Sequence, residues 1–293
     1  MNRTRIYHRC RAMTALLYKV ALVTAFVGCL QRLPFWLNGT ETRLLWPVSW
    51  LTLFPFNFGC GLIVVLSLSG VAAGAARPHS KWARVAAFLG LLQLAGFDSS
   101  FGHIGHQWHT WLAATFVLTW LPETDGESRE QKECYILVCW GAMLLTLWTY
   151  TLAGFWKLVF GLGQVWFGQT SMFHPDALPI HVADQVLKKG ESGWLTDIVM
   201  SGASSGVLYV SVVSFEFLSA LVAFRPGFHR IWGVGLIGLH MGIFLVMNIL
   251  FWQAMLLCWV LLVRSPFDPT VTETRNDFLH PQEQSEDMFS LPG

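Results

Sequence analysis

Four ionisable side chains interrupt otherwise apolar stretches of the chain: Lys19, Lys157, Glu216 and His240. A charged group in hydrocarbon costs about 2.5–3.5 kcal/mol on insertion scales, so each is a candidate for function until a structural role accounts for it. Lys157 stands in Tyr150-Thr151-Leu152-Ala153-Gly154-Phe155-Trp156-Lys157-Leu158, with Ala153 and Gly154 one helical turn before it. Small residues at those positions leave a notch beside the amine. Burial in the notch disfavours the ammonium form, and a neutral amine is a general base. The plainer alternative is an ammonium that reaches the membrane interface along its aliphatic stem, and spacing alone leaves both readings open. Glu216 and His240 are read either as partners of a basic group or of each other across helices, or as packing residues. Lys19 is close enough to a span end to snorkel.

Histidines 103, 106 and 109 recur every third residue, which on a helix spreads them over about 120°. Metal ligation would require a further ligand such as Asp98 or Asp176 to converge on them, and no metal is assigned. His109 opens an apolar stretch just after a cramped polar turn, so it is expected to point into a cavity there. His174, Asp176, His181 and Asp184 form a looser set, read as solvated. There is no CxxC pair, Gly-rich phosphate loop or nucleophile elbow, and the six cysteines sit mostly in or beside apolar runs as small hydrophobes. The glycines at 59–61 and 70–74 are read as sites of close helix packing.

The elements that must carry these groups follow from composition. Of the 293 residues, 54% are hydrophobic and only 13% charged, and the mean hydropathy is +0.48. Soluble domains carry about 25% charged residues, so a soluble globule is excluded and an all-α integral membrane protein is expected. The 15 Trp and 22 Phe fit interfacial belts and a lipid-facing exterior. A formal net charge of +1 supplies no basic field for nucleic acid.

A crossing needs about 20 mostly apolar residues. Apolar runs near 12–31, 54–76, 82–99, 106–121, 134–158, 203–224, 231–247 and 249–263 predict a bundle of about eight transmembrane helices. Seven spans result if 231–263 is one tilted helix rather than two meeting at Asn248. The basic start, with Arg3, Arg5, Arg9 and Arg11, has the look of a signal peptide. The length of the following run and Lys19 in its middle favour a retained helix facing a protein interior. With a cytoplasmic N-terminus, thirteen basic residues, Arg84 among them, fall inside, and only Arg32, Arg43, Lys188 and Lys189 fall outside.

Between Lys81 and Glu123 the chain is barely long enough for two crossings, so the turn holding Asp98, Ser99, Ser100, His103 and His106 must lie near membrane level. Polar backbone at that depth implies a cavity. The external connection, 160–202, includes an amphipathic stretch at 176–199 broken near 190–193. Residues 1–265 are thus read as a membrane domain and 266–293 as a polar, disordered cytoplasmic tail.

The stretch Ala153-Gly154-Phe155-Trp156-Lys157-Leu158 followed by Trp166-Phe167-Gly168 resembles the lysine signature of the vitamin K-dependent gamma-carboxylase membrane domain and its bacterial HTTM relatives. His109-Thr110-Trp111-Leu112 is similar to the family's His-Ser-Tyr-Leu-like span start. Glu216 and His240 with Phe251 resemble its acidic-helix and His-helix pair. The resemblance runs over roughly residues 12–265, and the chain lacks the family's large domain after the last span. Trp156 stands where the carboxylases have a second lysine, and the spacing from Lys157 to Trp166 is a few residues longer than theirs.

The resemblance implies an eight-span bundle whose site faces the periplasm or lumen. Lys157 would deprotonate a reduced vitamin K or menaquinol, with oxygen and carbon dioxide as co-substrates, and His109 would stabilise developing charge. Trp156, Trp166, Glu216, His240 and His106 would surround the substrate. Partners would be the bilayer, the quinol and a glutamate-containing peptide or a membrane protein. The expected activity is quinol epoxidation, with glutamate carboxylation as a coupled step. A non-catalytic quinone- or lipid-binding subunit and a small transporter relaying protons through Lys157, Glu216 and His240 are the alternatives.

Overall fold

The computed structural model describes residues 3–38, 43–101, 108–123, 128–168, 171, 173–201 and 205–269. Among these the chain is helical with no strand. Helix α1 spans Arg3–Asn38, α2 Phe56–Ala76, α3 Lys81–Ser99, α4 His109–Leu118 and α5 Arg129–Trp166. Then follow α6 (Ala177–Lys189), α7 (Thr196–Met200), α8 (Ser205–Phe217), α9 (Ser219–Val222), α10 (His229–Met247) and α11 (Trp252–Cys258), the last continuing as a π-helical turn over Trp259–Val263.

Four described helical segments are long and apolar enough to cross a membrane: Arg3–Asn38, Phe56–Ala76, Arg129–Trp166 and Pro226–Met247. His109–Leu118, Gly206–Phe217 and Trp252–Val263 are apolar but shorter. The expected elements are therefore present, while fewer than eight are individually long enough to span. Residues 231–263 form two helices rather than one. Asn248 ends α10 in a left-handed conformation (φ 51°), which a short polar side chain tolerates, and α11 folds back against α10.

Helix α5 is the hub. Ser128 caps it by accepting the Gln131 amide at 3.2 Å, and along its length it packs on α1, α4, α8 and α9. Arg3 and Glu133 pair at the starts of α1 and α5, so these two helices run parallel. Helices α2 and α3 pack backbone against backbone. A Cβ at Gly70 would lie 2.5 Å from the Ala86 carbonyl oxygen, and one at Gly90 2.6 Å from that of Ser67. Only glycine admits that backbone approach, as expected for 70–74 and reciprocated from α3.

Three charged positions differ from expectation. Arg84, counted among the cytoplasmic loop charges, is fully buried on α3 and donates to the Pro78 and Leu121 carbonyls, tying down the turn after α4. Lys19 is exposed on α1, so it snorkels along the outside rather than facing an interior. The tail does not begin loose at residue 266: Ser265, Phe267 and Asp268 are buried, and Arg9 donates to the carbonyls of Ser265 (2.8 Å) and Asp268 (3.1 Å). From 270 onward the tail lies outside the described residues.

The amphipathic segment forms α6 and α7 with Gly190 between them at φ 71°, matching the expected break. It closes over the end of α10. The Leu195 amide donates to the Leu245 carbonyl at 2.9 Å and the Thr196 hydroxyl to that of Val246 at 2.7 Å, satisfying groups a helix C-terminus otherwise leaves open.

Candidate functional site

Tyr150, Gly154 and Lys157 are spaced four and three residues apart, so they form one stripe on α5. At Gly154 a Cβ would fall 2.5 Å from the Phe217 backbone nitrogen, so the α8 backbone lies directly on that position. The notch anticipated beside the amine is therefore filled by α8, and its closeness delivers Glu216. Lys157 Nζ donates to Glu216 Oε2 at 2.5 Å. The carboxylate side chain is only 8% exposed and the lysine 38%. A carboxylate that deep needs a charged partner, and Lys157 supplies it. The amine is therefore not solitary: it is paired with a buried carboxylate from α8.

Two turns back from Lys157 along the stripe, the Tyr150 hydroxyl lies 2.8 Å from His240 Nε2 and 3.3 Å from Cys258 Sγ, drawing α10 and α11 to α5. His240 Nδ1 is buried with no hydrogen-bond partner among the described residues. Tyr150 was not among the sequence candidates, although its position seven residues before Lys157 placed it on the same face. Gly154 sat in the motif only as a small residue, and the structure makes it the contact that sets the ion pair.

Other candidates fall elsewhere. Trp156 and Trp166 are 63% and 85% exposed on the outer side of α5, away from the stripe. The Trp156 ring meets that of Phe160 edge-on at 6.1 Å. His109 is exposed at the start of α4 and makes no hydrogen bond to Lys157, Glu216 or His240. It does not enter the cavity near it; its neighbour Trp108, 4% exposed, does. His103 and His106 lie outside the described residues. His174 and Asp176 approach to 3.6 Å, both well exposed. No three His, Cys, Asp or Glu side chains converge as a metal site among the described residues.

A cavity of about 200 Å³ lies between α1, the end of α3, the start of α4 and the α10–α11 connection; residues 102–107 of the expected turn lie outside the described residues. Asp98, 3% exposed, accepts from Arg32 Nε at 2.7 Å and from Trp36 Nε1 at 3.2 Å. Gly28, Gln31, Trp108, Leu250, Trp252 and Gln253 complete the lining. The sequence pointed to Asp98 here; Arg32 was missed because it was counted as a loop charge. The Phe251 ring, from the residue between cavity-lining Leu250 and Trp252, lies 5.4 Å from that of His240.

Comparison with protein-family models, with curated proteins and with solved structures finds no match for this chain.

Proposed function

We propose that the protein is a multi-pass membrane enzyme acting on a reduced quinone and oxygen, with the Lys157–Glu216 pair as its proton acceptor. The N-terminus is placed in the cytoplasm, the eight helical runs as eight crossings, and the site toward the periplasm or lumen. The excess of basic residues on the cytoplasmic side of that arrangement supports it.

The observation that carries the reading is the 2.5 Å contact of Lys157 with the buried Glu216, beside the Tyr150–His240 pair. With the shared proton on Glu216, the amine accepts the proton of a quinol hydroxyl. With the proton on the amine, the ammonium stabilises the oxyanion left behind. The Tyr150 hydroxyl and His240 offer a second place for that proton. Trp156 and Phe160, exposed on the flank of α5, give an apolar approach for a lipid-soluble substrate. A donor and an acceptor side by side at an apolar flank support a quinol as the substrate. When bound, the quinol supplies the electrons, and with one O2 it gives the quinone epoxide and one water. Carboxylation of a glutamate γ-carbon by carbon dioxide is the proposed coupled use of that energy.

The test is incubation of the purified protein in nanodiscs with vitamin K hydroquinone or menaquinol under air, with chromatographic assay of the epoxide. Lys157→Ala and Glu216→Gln are expected to lose about 10²–10⁴-fold in rate. Epoxide undiminished by both substitutions, or quinone binding without any epoxide, overturns the enzymatic reading, the second result leaving a non-catalytic quinone-binding subunit.

A further inference from the structure

The cavity beside Asp98 is built from groups that the Lys157 chemistry does not use. Asp98 Oδ1 fixes two donors at once, Arg32 Nε and Trp36 Nε1. The contact to Nε orients the guanidinium edge-on to the carboxylate and leaves Nη1 and Nη2 without a hydrogen bond among the described residues. The Phe35 ring, 4.8 Å from the guanidinium carbon, covers a face of the group and limits its rotation. Arg32 is thus a pre-aimed fork, with its side chain 32% exposed at the cavity.

The rest of the lining joins three indoles and Leu250 to the amides of Gln31 and Gln253. Trp36, 1% exposed, and Trp108, 4% exposed, are held rigidly, with Trp252 opposite. Gln253, 4% exposed, adds an amide. A guanidinium fork matches the two oxygens of a carboxylate, and indole walls match a ring. An apolar hole of about 150 Å³ holds benzene, so a volume of about 200 Å³ fits one ring carrying one acid group.

We propose that this cavity is a binding site for a small aromatic carboxylate, its acid gripped by Arg32 and its ring set among Trp36, Trp108 and Trp252. The site stands apart from the quinol reading, since no residue lining the cavity belongs to the Lys157 cluster.

The test uses benzoate, with benzamide as its uncharged isostere, and saturation-transfer NMR on the full-length protein in nanodiscs. Benzoate is expected to bind saturably and benzamide about tenfold more weakly, the cost of losing a charge-assisted pair. Arg32→Gln is expected to abolish the preference for the acid, and Arg32→Lys to restore part of it, which separates loss of the fork from loss of the fold. Lys157→Ala is expected to leave benzoate binding unchanged, so failure here and failure of the epoxidation assay are distinguishable. Displacement of benzoate by palmitate would assign the carboxylate to a fatty acid, and persistence of benzoate would assign it to a free small acid. Absence of saturable benzoate binding, or an equal response to benzoate and benzamide in the unsubstituted protein, overturns the proposal.

Discussion

Lys157 Nζ and Glu216 Oε2 lie 2.5 Å apart although 59 residues separate them in the chain. The contact exists because α8 rests its backbone on Gly154, three residues before the lysine. The carboxylate is the deeper member of the pair, so the stability of the pair depends chiefly on Glu216 not being left alone.

Replacing Lys157 with alanine strands a buried carboxylate, and the loss is expected to be about 2 kcal/mol. Glu216→Gln, which leaves a neutral amide facing a half-exposed lysine, should cost less. Adding Glu216→Gln to Lys157→Ala should recover part of the loss. Thermal unfolding of the four proteins in detergent gives the coupling; additive losses would mean that the contact contributes nothing to stability.

Gly154→Ala sets a methyl group against the Phe217 and Val213 backbone, which cannot move as a flexible side chain would. A loss of about 1–3 kcal/mol is expected, together with loss of the quinol activity, because α8 must lift away from α5. Gly163, further along the same helix, has nothing within 4 Å of a built Cβ. Gly163→Ala should be neutral or stabilising by up to about 1 kcal/mol. The melting temperatures of the two variants check the contrast.

His181 on α6 stacks on Tyr209 with centroids 6.4 Å apart. Partial burial first, and the Lys157 ammonium second, hold its imidazole below the ordinary value of 6.5, with Asp184 pulling the other way. The folded protein therefore binds this proton less readily than the unfolded chain does. Stability from this residue is intact above about pH 7 and declines as pH falls through the unfolded value near 6.5. The melting temperature is expected to drop between about pH 7.5 and 5.5, and the drop should shrink in His181→Asn.

The Thr196 hydroxyl reaches both the Gly193 and the Val246 carbonyl, at 2.9 and 2.7 Å, and so pins the external segment to the end of α10. Thr196→Val keeps the shape and removes the donor. An expected cost of about 1 kcal/mol should be local, read as faster hydrogen exchange over 190–200 with little change in α2 or α3.

The sequence by itself determined that the chain is helical and that apolar helices dominate it, because a bilayer forces backbone groups to pair within each segment and makes charge rare. It located the turn at Asn248, the break at Gly190 and the close contact at 70–74, since each depends on local chain chemistry. Tertiary structure alone decided who meets whom. Glu216 reached Lys157 through the fit of α8 on Gly154, and Arg32 reached Asp98 from 66 residues away. Trp108 rather than His109 entered the cavity, because adjacent helical residues point about 100° apart and the orientation of α4 about its own axis is fixed by what α3, α5 and α11 pack against it. Local spacing fixes which residues share a face, whereas the partner of that face depends on the packing of the whole bundle.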